Sequence, residues 1–425
     1  MHKRAPRRWL PAGLIALRER NFVLYVVGQF TSQLGSWIEL TAVSWIVYEM
    51  TNSPFLLGLV GLFRATPTIL LALFGGAIAD RLPRRLLLMC TESTMLVLSL
   101  TLGVLSVTGH LEYWHLYALN FISGTLQAFS VPSRHALFAG LVPRASMSSA
   151  VTLNSVSVRS GGFIGPSIAG LALAFGGYSF PFFINAASFV AMLIALAMMR
   201  LPKAKDEPPV KHPSLRQGMT EGVAFVWRTP LLRVALLLEL ATALFGHNTA
   251  VITIIVRDVL NAGPESLGLL MSATGAGALI GMTFLLTFPV KQHGRLILIL
   301  GVLYTILWAG FGLSQWIWLS ALLLLALGTV DSTWGVTRNT LAQTLTTDAL
   351  RGRVMSVVML ATRGSSQLGR VQSGFTVGLI GAPASALLGA AVVGVAVLAS
   401  WWRVGMPEYI GKPVPPETEE APEQH

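Results

Sequence analysis

The sequence predicts an all-α membrane protein whose 12 transmembrane helices form two pseudo-symmetric six-helix bundles. Three observations predict it. Apolar windows of roughly 20 residues, the length a helix needs to cross about 30 Å of hydrocarbon, recur along nearly the whole chain. Basic residues gather in alternate connections between these windows. The second half also repeats a polar pattern of the first at a fixed shift. With 53% hydrophobic and 12% charged residues, against roughly 25% charged in an ordinary soluble chain, no soluble domain hides this much apolar surface. The windows are continuous and long, which argues against barrel strands.

Turn and charge signals divide the chain into helices near 21–49, 55–79, 86–108, 114–139, 146–175 and 179–199, then near 230–258, 265–289, 294–313, 316–345, 350–380 and 382–402. Lys and Arg fill the N-terminal segment 1–20, the turn RLPRR (81–85), the connection from Arg134 to Arg144, the segment 200–229, KQHGR (291–295) and LRGR (350–353). The alternate loops TNSP, TGHLE, GGYS, LSQW and GAPA contain no Lys or Arg. The positive-inside rule then puts both termini in the cytoplasm. The charged, proline-containing linker 200–229 separates bundles at 21–199 and 230–402, and the acidic tail 403–425 has the composition of a disordered segment. The basic N-terminus lacks a small-residue cleavage site and reads as retained.

Several function classes drop out. The net charge of +11 sits between membrane windows, so it orients the chain and does not point to nucleic acid. One cysteine, Cys90, excludes an internal disulfide and a thiolate metal cage. No nucleotide cradle, metal-ligand set or nucleophile constellation is visible, so neither an enzyme nor a cofactor is expected.

At a shift of 204 residues Arg134 aligns with Arg338, Arg159 with Arg363, Gly165 with Gly369 and Gly170 with Gly374. Each half therefore has an arginine at a helix's cytoplasmic end, a short connection, and then a helix with an arginine about 20 Å deep at 1.5 Å per residue. A guanidinium stays charged, so placing it at mid-depth demands compensation. Parallel six-helix repeats with a site between them at mid-depth describe an alternating-access transporter.

GGAIADRLPRRLLL (75–88) resembles the signature joining helices 2 and 3 in the major facilitator superfamily. GQFTSQLGSW, LGLVGLFRATPTILLALFGG, VPSRHALFAGLVP, GPSIAG and LRGRVMS resemble its bacterial drug and siderophore efflux branch, with its macrolide-efflux and enterobactin-exporter-like members. The resemblance spans about residues 20–402 and implies a cytoplasmic latch at Gly75, Gly76, Asp80, Arg81, Arg84 and Arg85, with Pro83 where the signature has glycine. Glu92, near the start of helix 3, is expected to partner these arginines.

Gln29, Gln33, Ser36 and Glu39 recur every three or four residues and form one helix stripe, too polar to face lipid and expected to face the central cavity. Glu39 is the first candidate for proton coupling, with wall polarity or an ion pair to Arg64 or Arg159 as the other readings. The resemblance implies that helices 1, 4, 7 and 10 line the cavity, which adds Asp331, Glu239 and His247 as proton-coupling candidates and Gln127, the repeat mate of Asp331. Arg159, Arg363 and Arg370 are candidates for an anionic substrate or for pairing with buried acids. GPSIAG suits close packing and bending. The expected function is proton-coupled efflux of a small amphipathic or anionic metabolite, such as a siderophore or drug. The protein is expected to be a monomer in the bacterial inner membrane, with the bilayer, protons and the solute as its partners. An importer of an organic anion and a non-transporting scaffold or sensor are the alternatives.

Overall fold

The computed structural model describes residues 12–79, 83–200, 215–287 and 293–404. After a 3-10 segment, Ala12–Arg18, come α1 (Arg20–Thr51), α2 (Pro54–Ala79), α3 (Arg84–Val107), α4 (Tyr113–Ala139), α5 (Met147–Gly176) and α6 (Ser179–Met198). Next are α7 (Leu215–Arg228), α8 (Pro230–Phe245) and α9 (Thr249–Ile254), the last extended by a π turn, Ile255–Val259. They are followed by α10 (Pro264–Thr287), α11 (His293–Leu313), α12 (Ile317–Thr344), α13 (Asp348–Ile380) and α14 (Ala382–Val404). Nine segments among the described residues are long and apolar enough to cross a membrane. The similarly long α1, α4 and α13 fall short on apolarity because they carry the polar candidates: Gln29 and Glu39, Gln127 and Arg134, Arg363 and Arg370.

Two features depart from the sequence reading. The window predicted as one helix near 230–258 is broken at Gly246–Asn248, where α8 stops and Asn248 caps α9 by accepting the Val251 N–H at 3.1 Å. Backbone groups freed inside a membrane must find internal partners. Here the Tyr304 hydroxyl accepts the His247 N–H at 2.8 Å. The linker also contains a helix, α7, tied to α13 by an ion pair between Glu221 and Arg353.

The short loops follow from local chemistry. Asn52, in the left-handed region at φ 50°, ends α1, and Pro54 opens α2 two residues later. Gly177 (φ 64°) ends α5 and Gly381 (φ 82°) ends α13, and these two positions are related by the same shift of 204. Positive φ is costly for any residue with a Cβ.

Helix α1 packs on α5 and α6, α2 on α4, and α3 on α4 and α6. In the second half α10 packs on α12, α11 on α12 and α14, and both α13 and α14 on α8. Between the halves α5 meets α10, α2 meets α13, and α9 meets α1 and α2. Glycines set these crossings. A Cβ on Gly170 of α5 would stand 3.0 Å from Glu265 Cα and 3.1 Å from Gly268 Cα of α10; one on Gly374 of α13 would stand 2.8 Å from Gly58 Cα of α2. The other repeat glycines, Gly165 and Gly369, press on α1 and α8, so the repeat visible in the sequence recurs in the packing. The crossings gather toward the Thr51 end of α1, where Val43, Ile46 and Val47 share an apolar core with Val251, Ile255, Leu267 and Leu270.

Gly170→Val should cost about 1–3 kcal/mol through overpacking against the α10 backbone. Gly364→Ala, at a site open on all sides, should be neutral or stabilising by about 0.5–1 kcal/mol. Thermal unfolding of the detergent-purified protein measures both.

Candidate functional site

Each half encloses an arginine and an acid. On α4, Arg134 pairs with Glu92 of α3, which is only 2% exposed, and donates to Gln29 Oε1 of α1 at 2.7 Å. Ser32 of α1 donates to the other Glu92 oxygen at 3.3 Å. Its repeat mate Arg338, on α12, pairs with Glu239 of α8 and donates to Asn339 Oδ1 at 3.2 Å. The expectation that Glu92 serves the RLPRR arginines is therefore corrected: its cation is Arg134. Charge pairing inside a low-dielectric region needs both partners and further hydrogen bonds to offset desolvation, and both sites have them. Arg134 and Arg338 as the partners of these acids were missed, although the repeat had already aligned them.

Glu39 is also buried, but its neighbours are neutral. It accepts from Ser99 Oγ of α3 at 2.8 Å and from Asn185 Nδ2 of α6 at 2.7 Å. The polar stripe of α1 thus turns its ends toward α3, α4 and α6, with Ser36 donating to the Ser32 carbonyl at 2.8 Å. Gln33 is half-buried, its backbone against Gly161 of α5. Neither Arg64 nor Arg159 makes the ion pair considered for Glu39.

Arg64, Arg370 and Arg159 stand on helices where the halves meet. Arg64 of α2 is half-buried and donates from Nε at 3.1 Å, and from Nη2, to the side-chain oxygen of Gln127 on α4. Arg370 of α13 crosses α2 at Gly61: a Cβ there would stand 2.9 Å from Arg370 Cβ and 3.0 Å from its Cδ. Arg159 is exposed on α5, two turns from Pro166 and so on the face that meets α10. It has no hydrogen bond or ion pair among the described residues. Arg363 holds the matching register on α13, two turns before Arg370, and its side chain lies outside the described residues. Asp331 is exposed on α12, within Coulombic reach of Glu239 and Tyr304. His247 Nδ1 lies 3.0 Å from the same Tyr304 hydroxyl that holds its backbone. The structure therefore gathers Glu239, Asp331 and His247 around Tyr304 and Arg338.

Of the expected latch, Asp80 and Arg81 lie outside the described residues, and Gly75 and Gly76 fall in the last turns of α2. Arg84 donates to the Ala136 carbonyl at 2.9 Å, and Arg85 to those of Ala197 at 2.8 Å and Met199 at 3.2 Å. Both cap the C-terminal turns of α4 and α6, where unpaired carbonyls concentrate negative charge. At the opposite end is a clasp that composition alone did not signal. Arg257 pairs with Glu49 at 3.1 Å, donates to the Tyr48 carbonyl at 3.2 Å and lies 5.0 Å from the Tyr48 ring centre, while the Tyr48 hydroxyl donates to Asp258. It ties the end of α1 to the π turn after α9.

The family described as transmembrane secretion effector matches residues 12–422. Among similar proteins, an uncharacterized MFS-type transporter of Bacillus subtilis, YfiS, is 27% identical over 62% of this chain and 63% of its own length. The multidrug efflux pump Tap of Mycolicibacterium fortuitum is 26% identical over 83% of this chain and 88% of its own. The enterobactin exporter EntS of Shigella flexneri is 26% identical over 72% of this chain and 73% of its own. Among solved structures, an inward-facing, unoccupied bacterial homologue of the lysosomal transporter Spinster has a TM-score of 0.61 at 14% identity, covering 93% of this chain and 97% of that one.

Arg134→Leu strands the Glu92 carboxylate and should destabilise the protein by about 3–5 kcal/mol. The Arg134→Leu, Glu92→Leu double variant should recover much of that loss. Unfolding midpoints of wild type, both single variants and the double variant measure the coupling.

Proposed function

The chain belongs to the transmembrane secretion effector family of major facilitator transporters, and from that premise we propose that it exports a small amphipathic or anionic solute by alternating access. In this reading the twelve crossings form bundles at 21–199 and 230–402, with α8 and α9 together making the seventh. The linker 200–229 and both termini are cytoplasmic, and a monomer does the work in the inner membrane.

The observation that carries the reading is the asymmetry between the two ends. Crossings, apolar core and clasp join the halves near Tyr48 and Asp258. Arg159 and Asp331, near the middles of α5 and α12, are exposed. Under the proposed orientation this is the inward-open, outward-closed state. An enzyme is not in question for this family of transporters. Export is favoured by the relatives, one an enterobactin exporter and one a multidrug efflux pump.

Protons are the proposed driving ion. Glu39, enclosed by Ser99 and Asn185, supplies a carboxyl whose two protonation states suit different surroundings of α1, α3 and α6. The cluster of Glu239, Asp331 and His247 offers a second set of acids and bases against Arg338.

Deleting the gene and comparing medium with cells identifies the solute: it should accumulate inside the cells, whereas lost uptake would favour an importer and no solute change a scaffold. With that solute in proteoliposomes, Glu39→Gln should abolish flux driven by a proton gradient and leave solute countertransport intact. Unchanged gradient dependence in Glu39→Gln removes Glu39 as the coupling acid.

A further inference from the structure

The paired acids leave two buried-side arginines over. Glu92 is taken by Arg134, Glu239 by Arg338, and Glu49 by Arg257. Glu39 lies within Coulombic reach of Arg64 but is bound by Ser99 and Asn185. Among the described residues the Arg64 side chain has one hydrogen-bond partner, the neutral Gln127. Arg370 has no hydrogen bond or ion pair among the described residues, and the Oε1 of Gln367, one turn away, is buried and unpartnered.

The two guanidiniums belong to one place. Gly61 and Arg64 are three residues apart, neighbours along α2, and Gly61 is the point over which Arg370 passes. The two arginines lie within Coulombic reach of each other. On α13, Met359, Ser366 and Arg370 follow a spacing of seven and four, one stripe between the face that meets α2 and the face that meets α8. Met359 and Ser366 are exposed along it. Arg370 therefore stands at the closed end of the open stripe, with Arg64 beside it on the other half of the molecule. Two permanent like charges held together in a region of low dielectric repel each other; among the described residues no carboxylate is ion-paired with either, and Glu39 acts on Arg64 only from a distance.

We infer that Arg64 and Arg370 form an oxyanion-binding site that straddles the α2–α13 crossing, where a carboxylate or phosphate group of the transported solute is held by guanidinium forks from both halves. The site rests on the transporter reading and gives it a substrate class: solutes bearing an oxyanion. Planar guanidinium forks favour such groups through paired N–H donors. The Gln127 amide adds an N–H donor next to Arg64. Because one arginine comes from each half, the bound anion bridges elements that must separate or slide when access alternates.

The test uses the full-length protein in detergent, with phthalate and inorganic phosphate as probes and dimethyl phthalate as the neutral control. Ligands that bind only the folded state raise its unfolding midpoint in a saturable way. Phthalate should do so and dimethyl phthalate should not. Arg64→Gln and Arg370→Gln should each weaken the apparent affinity about tenfold or more, since each removes a charge-assisted fork, whereas the surface variant Arg295→Gln should leave it unchanged. Arg370→Glu, which sets a carboxylate beside Arg64, should melt above Arg370→Gln in anion-free buffer and lose the phthalate response. The site is overturned if neither anion shifts the wild type, if the ester acts like the acid, or if both Gln variants keep the response. Arg370→Glu melting at or below Arg370→Gln overturns it as well. Gradient-driven flux by the wild type separates the two readings: flux without an anion response sinks the site alone, and an anion response without flux sinks the transport reading alone.

Discussion

Hydrocarbon supplies no counter-charge and no hydrogen-bond donor, so a charge placed inside this protein must find its partner in the protein. Arg134 and Arg338 meet that constraint in parallel. One ties α4 to α1 and α3 through Gln29 and Glu92, the other ties α12 to α8 through Glu239. Each pair holds together helices of one half of the chain. The arginines of the RLPRR turn follow the same logic at the membrane surface, where Arg84 and Arg85 take up carbonyls that α4 and α6 leave open at their ends.

The contacts between halves use close glycine crossings of the kind also found within each half. Gly58 faces Gly374 and Gly170 faces Gly268, backbone against backbone. Such surfaces depend on shape and dispersion, which let helices approach closely without committing a charge to one partner. The hydrogen bond from Ser167 of α5 to Ser272 of α10, 2.7 Å, and the clasp of Tyr48, Glu49, Arg257 and Asp258 at the end of α1 are polar contacts between the same halves.

Arg64 and Arg370 stand outside this pairing scheme, which gives them their interest. Permanent charge with no ion-paired carboxylate among the described residues is hard to account for by stability alone. It makes sense where a mobile anion completes the site.

Much of this was legible in the sequence because the physics is local. Hydropathy over a helix length, charge in alternate loops and the shift of 204 residues determined the helices, their repeat and the related stops at Gly177 and Gly381. The break at Gly246–Asn248 was hidden because an apolar window averages over three residues, and α7 because an amphipathic surface helix carries no long apolar run. The partners lay beyond sequence reasoning altogether. Glu92 follows the RLPRR turn by only a few residues yet binds Arg134, and Glu39 shares a stripe with Gln29 yet turns to Asn185, which is 146 residues away. The sequence by itself determined which residues had to be compensated, since an arginine in an apolar helix declares its cost. Only the tertiary structure decided which acid compensates which arginine, because a pairing in low dielectric depends on distances of a few ångströms between helices remote in the chain.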